Sequence, residues 1–206
     1  MQSEIESIII NQCSPVLFGC KPSALFMIRS EHYLSYLSAL LPAGIGFTVL
    51  RKHENRLLVL AFDKTSLEKT ILNEVILELL TGLGYPAGCG DHGNGQRPPS
   101  GVAPVFILLD YLKKRFERKD FPHEVGFFLG YPAEDVLGFV KHRGENYKLC
   151  GYWKVYGNVN LAKKCFNQYD FCRESMKNYL YGKTGSNPGG NTARFTLCST
   201  EAFSPL

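Results

Sequence analysis

Apolar residues recur along this chain at two spacings. Leu67, Ile71, Leu72, Val75, Leu79 and Leu80 return every three or four positions, which predicts one amphipathic helix over residues 65–80. The same periodicity predicts helices over 3–11, with Ser3 as a candidate cap, over 31–41, stopped by Pro42 and Gly44, and over 105–118. A last helix runs from a cap at Asn158 or Asn160 to about residue 181, and two short helices precede it. Two apolar runs, 47–50 and 57–62, flank the polar segment 53–56 and predict a β-hairpin. Residues 23–28 are short and apolar and fit a strand or a helical turn. Residues 147–156 alternate, which predicts a strand with Tyr147, Leu149, Gly151, Trp153 and Val155 on its core face. The expected architecture is α+β: a small, mainly antiparallel sheet packed with several helices in one globular domain over 1–181. Residues 86–104, rich in Gly and Pro, read as a flexible inserted loop, and 182–206 as a flexible tail.

Composition narrows the classes. The chain has 206 residues, enough for a sizeable core, with 45% hydrophobic and 20% charged residues, which argues against wholesale disorder. A net charge of +4 is mild and argues against nucleic acid as the main partner. Glu4 and Glu6 stand where a secretory leader is apolar, and no apolar run approaches the roughly 20 residues of a membrane span. Seven cysteines, an odd number without a C-x-x-C pair, point to reduced thiols and a cytoplasmic location.

Three familiar motifs fail on context. Gly88-Cys89-Gly90-Asp91-His92-Gly93 has the letters of a dinucleotide fingerprint, but a helix precedes it and Pro98 and Pro99 follow it. Gly182-Lys183-Thr184 lacks the earlier glycine of a phosphate loop, since position 177 is Lys. His123-Glu124 opens like a zinc-binding helix, but position 127 is Phe, so one face does not supply two imidazoles. No metal site is expected; Cys89 and His92 would need ligands from elsewhere.

The segment 121–157 carries the most information. Phe121-Pro122-His123-Glu124 is echoed ten residues on by Tyr131-Pro132-Ala133-Glu134. Proline and an acid suit the first turn of a helix, so Glu124 reads either as a helix-start residue or as a functional carboxylate. His123 has no counterpart in the echo and reads as a helix-end residue or a working imidazole. Lys148, Tyr152, Lys154 and Tyr156 share the second face of the predicted strand, where lysines and tyrosines either form a solvated surface or hold an aromatic or anionic ligand.

These stretches, with Gly144-Glu145-Asn146-Tyr147-Lys148, Gly151-Tyr152-Trp153-Lys154-Val155-Tyr156, Cys172-Arg173 and the opening Cys13-Ser14-Pro15, Gly19 and Lys21-Pro22, resemble the bacterial domain-of-unknown-function family 3793 over most of residues 11–176. The resemblance implies a bacterial cytosolic protein and marks Cys13, Lys21, His123, Glu124, Asn146, Tyr147 and Trp153 as motif positions, without implying an activity or a cofactor. Three functions stay open. One is a binding module for a small anionic or aromatic ligand, nucleotide- or cofactor-like, held by Lys21, Asn146, Lys148, Tyr152, Lys154 and Tyr156. Another is a thiol-dependent enzyme with Cys13 as nucleophile and His123 as base, oriented by Glu124 or Asn146. The third is a protein or nucleic-acid interaction domain that uses the basic run 113–119, a run that also suits a solvated helix end.

Overall fold

The structure, a computed structural model, describes residues 2–86 and 104–182. Apart from Pro86, Pro104 and Gly182, the expected loop and tail, and the glycine motifs at 88–93 and 182–184 with Cys89 and His92, fall on residues outside these. Helix α1 (Gln2–Ile8) continues through a π-helical turn, Ile9–Cys13, into α2 (Ser14–Leu17). The Ser14 N–H reaches back five residues to the Ile9 carbonyl. Cys13, beyond the end of the helix expected over 3–11, therefore ends a helical turn and is buried.

Strand β1 (Ser23–Arg29) settles the reading of 23–28 as extended. A 3₁₀ turn, Ser30–His32, leads into α3 (Tyr33–Leu40). The predicted hairpin is β2 (Ile45–His53) and β3 (Arg56–Asp63). The strand order is β1-β3-β2, and both pairings are antiparallel. As the central strand, β3 is apolar on both faces. Leu57, Val59 and Ala61 pack with Phe26, Ile28, Tyr36 and Leu40 on one side. Leu60 and Phe62 pack with Leu67, Leu112, Phe116 and Phe128 on the other.

The predicted helix over 65–80 is two helices, α4 (Lys64–Ile71) and α5 (Glu74–Gly82). Asn73 adopts extended backbone and its side chain accepts the Val75 N–H, so it caps a new helix inside an uninterrupted apolar stripe. Helix α6 (Pro104–Phe116), α7 (Val125–Phe128) and α8 (Ala133–Lys141) follow.

The strand expected over 147–156 is not one strand. It is a tight hairpin of β4 (Leu149–Cys150) and β5 (Lys154–Val155), paired with each other and separate from the three-stranded sheet. The Gly151 N–H donates to the Trp153 carbonyl across the turn. Alternation therefore does not persist through Gly151, and Lys148, Tyr152, Lys154 and Tyr156 do not form one strand face. Helix α9 (Val159–Leu180) ends the described chain, with Asn158 accepting the Leu161 N–H as its cap. The α+β class with a small antiparallel sheet stands. No helix among the described residues is long and apolar enough to cross a membrane.

Candidate functional site

The hairpin is held against α8 by one buried carboxylate. Asp135 lies in the first turn of α8, directly after Glu134 of the echoed motif. Its Oδ2 accepts the Trp153 indole N–H at 2.7 Å, and its Oδ1 accepts the backbone N–H groups of Tyr156 and Gly157 at 2.7 and 2.8 Å. Glu134 accepts the Asn158 N–H at 3.1 Å. Both acids of this helix start thus reach across to the hairpin and the entry of α9, a role beyond the helix dipole. A charged group buried this deeply persists only when its oxygens are occupied, and Asp135 meets that condition with three donors.

Above this anchor, Tyr131 stacks on Trp153 at 4.9 Å, and Phe166 of α9 meets the indole edge-on at 4.6 Å. Between this layer and α7–α8 lies a cavity of about 350 Å³. Its walls are mainly apolar, with Val136, Phe139 and Trp153 prominent, and His123, Tyr152 and Lys154 join the lining. His123 is exposed and sits between the rings of Phe121 and Phe139, at 5.5 and 4.9 Å. The Lys154 ammonium donates to the Gly144 carbonyl at 2.6 Å and lies 4.8 Å from the centre of the Tyr147 ring. No carboxylate pairs with it among the described residues. An ammonium on an apolar wall with donors to spare attracts an anion, and flat rings beside it favour an aromatic body.

The remaining expected residues lie elsewhere. Lys148 donates to the Gly157 carbonyl at 3.0 Å and so closes the hairpin base. Tyr156 stacks on His142 at 5.7 Å. Asn146 is exposed at φ +59°, a left-handed turn position that asparagine tolerates well. Each has a local structural task and none lines the cavity.

Glu124 is buried and takes the Arg115 Nε–H at 2.7 Å and the Tyr85 hydroxyl at 3.3 Å. Burial and this carboxylate hold the Tyr85 hydroxyl far above its ordinary pKa. Glu124 is thus spent on Arg115 and does not orient His123. The basic run 113–119 is correspondingly not all surface charge, since Arg115 turns inward and Lys114 pairs with Asp110 at 2.8 Å.

Cys13 is enclosed on the other side of the three-stranded sheet, in the cluster with Val16, Phe26 and Tyr36. Burial pushes its thiol up to about 12 against the opposing pull of Lys21. A thiol so held is a poor nucleophile. Its charged neighbour is Lys21, whereas His123 contacts Phe121 and Phe139, so Cys13, His123 and Glu124 do not assemble into a triad. The Lys21 ammonium lies over the rings of Tyr131 and Tyr169, at 5.3 and 5.9 Å from their centres. Burial first, and then the charge of Arg173, lower its pKa to about 8. Tyr131 therefore separates two environments, Lys21 on one side and the cavity on the other.

Asp135, Tyr131 and Tyr169 were not singled out by sequence reasoning. The echo of the Phe-Pro-x-Glu segment pointed at Glu134, one residue short of the buried acid. Only a pairing with a buried indole N–H eighteen residues away distinguishes Asp135.

A family model described as "Protein of unknown function (DUF3793)" matches residues 9–187. No curated protein and no solved structure matches the chain.

Proposed function

The chain belongs to this family, whose description assigns no activity, and from the cavity we propose that it is a binding module for a small, flat, largely apolar molecule that carries an anionic group. The observation that carries this reading is the placement of Lys154, without a carboxylate partner, on the aromatic wall of a 350 Å³ cavity. The rings of Phe139 and Trp153 would sandwich or edge the flat body. Lys154 would meet the anion, and a ring N–H of His123 would add a donor. A nucleotide base, or a cofactor ring bearing a carboxylate, has the required chemistry. Family resemblance and the cysteine usage support a bacterial cytosolic setting.

Anilinonaphthalene sulfonate, a flat aromatic anion, is a suitable probe, followed by fluorescence titration. Saturable one-site binding is expected, weakened about tenfold by Lys154→Met, the scale of one charge-assisted contact. Cys150→Trp, a change at an exposed cavity-lining position, should block it. Binding that survives both changes, or that does not saturate, would sink the proposal.

A further inference from the structure

Helix α9 packs against α2 and the π turn, and its inner face brings thiols to the loop that follows α2. Cys165 and Cys172 are seven residues apart on α9 and so share a face. Cys20 lies on the short loop between α2 and β1, with its backbone N–H bonded to the Pro15 carbonyl at 2.7 Å. The sulfurs of Cys20 and Cys172 are 3.3 Å apart, although the residues are 152 positions apart in sequence. A disulfide needs about 2.05 Å, so the two sulfurs have little more than an ångström to close. Two cations border the pair in sequence, Lys21 after Cys20 and Arg173 after Cys172. Arg173 is fixed by bidentate donation to the Asn11 carbonyl at 3.1 and 2.8 Å, which holds α9 to the N-terminal segment. The exposures of the two thiols differ. Cys20 is half-buried and Cys172 is 1% exposed.

We propose that Cys20 and Cys172 form a reversible dithiol–disulfide site that reacts with low-molecular-weight disulfides. The accessible Cys20 sulfur attacks one sulfur of the small disulfide. That bond breaks, one small thiol leaves as its thiolate, and a mixed disulfide forms on Cys20. The Cys172 sulfur then attacks Cys20 Sγ, forms the internal bond and expels the second small thiol. Two protein thiols lose two electrons and two protons, and one small disulfide becomes two thiols. The division of labour follows burial: the half-buried sulfur meets the reagent, and the buried one resolves the adduct. The bond would tie the 18–22 loop to α9 on the side where Lys21 lies, next to Tyr131 and the cavity wall.

The full chain, reduced and freed of reductant, is treated with glutathione disulfide and mapped by mass spectrometry. The expected product has lost two hydrogens, links the Cys20 and Cys172 peptides, and reverts with dithiothreitol. Closing so long a loop should raise Tm by roughly 5–10 °C. Cys20→Ser, a mild change on a loop, should abolish the link and leave Cys172 unmodified. Cys150→Ser, at an exposed position, should leave it intact. The proposal is overturned if the folded protein gains only a glutathione adduct at Cys150, if Cys20 bridges to Cys165 instead, or if the Cys20–Cys172 link appears only after unfolding in urea.

Discussion

Trp153 donates its indole N–H to Asp135 at 2.7 Å, and the same carboxylate holds the backbone amides of Tyr156 and Gly157. One side chain of α8 thereby fixes the turn, the second strand and the exit of the hairpin that walls the cavity. Asp135→Ala would leave one buried donor and two half-buried ones without their acceptor. A loss of roughly 2–4 kcal/mol is expected, since each orphaned donor costs about 1–3 kcal/mol and part of that is recovered by relaxation. Asp135→Asn should lose less, because Oδ1 remains an acceptor for the two amides. Urea unfolding checks both, with the intrinsic fluorescence of Trp153, the one tryptophan of the chain, as a local probe. Both variants should shift its emission to the red.

Arg115 and Glu124 form a second, half-buried contact, between α6 and the start of α7. Glu124→Ala leaves a half-buried guanidinium without its carboxylate beside the Tyr85 hydroxyl and should cost roughly 1–3 kcal/mol. The double variant Arg115→Met with Glu124→Leu removes both charges and should lose much less stability than the sum of the two single losses. A double-mutant cycle by chemical denaturation measures this coupling. Additive losses would mean that the pair contributes no coupling.

Lys21 and Cys13 make stability depend on alkaline pH in opposite senses. The Lys21 pKa is lowered to about 8, so the unfolded chain binds more protons than the folded one above that pH. Stability attributable to Lys21 therefore rises from about pH 8 until the unfolded lysine also titrates near 10.4. Cys13 is raised to about 12, so the folded chain keeps a proton that the unfolded chain loses from about pH 9. Its effect is a fall from about 9 to 12. The expected profile is a shallow rise between pH 8 and 9, a plateau, and a decline above about 10.5. Lys21→Met should be more stable than the parent at pH 7, by roughly 1–3 kcal/mol, and should lose that advantage as the pH passes 8. Thermal melts across this range in both proteins test the sign.

Gly130 joins α7 to Tyr131 at φ +74°, and a Cβ built there would stand 2.7 Å from Pro22 Cδ. Gly130→Ala meets both a left-handed backbone and a rigid ring, and should destabilise by roughly 1–3 kcal/mol. A Pro22→Ala background should recover part of the loss, since it relieves the contact but not the dihedral. Equal losses in the two backgrounds would assign the whole effect to the backbone.

The parts of the fold that were legible from sequence are those set by short-range periodicity. The central hairpin, α6 and α9 with its asparagine cap emerged close to their observed bounds, because their apolar positions repeat without competition. The helix over 65–80 misled because Leu72 and Val75 continue the stripe while Asn73, exposed to neither reading by spacing, restarts the backbone. The strand over 147–156 misled because a hairpin whose arms are two residues long still alternates on either side of its turn. Within the candidate site, His123, Tyr152 and Lys154 were marked as aromatic and basic residues and line one cavity together. Glu124 and Cys13 were marked for chemistry and prove to be enclosed, since nothing local announces that Arg115 will reach Glu124 or that a π turn will bury a thiol. Long-range satisfaction of charge is the information that spacing does not contain.

The π-helical turn over Ile9–Cys13 carries a consequence for how this chain tolerates changes in length. A π turn is equivalent to one residue inserted into an otherwise continuous α-helix. The segments on either side keep the phase they would have in a helix one residue shorter. Removing the exposed Gln12 should let the ladder close as plain α-helix from α1 into α2, with the two apolar faces still in step. The surplus residue displaces no flanking element, so a change of one residue in length is absorbed inside the turn while the helices on either side stay in place.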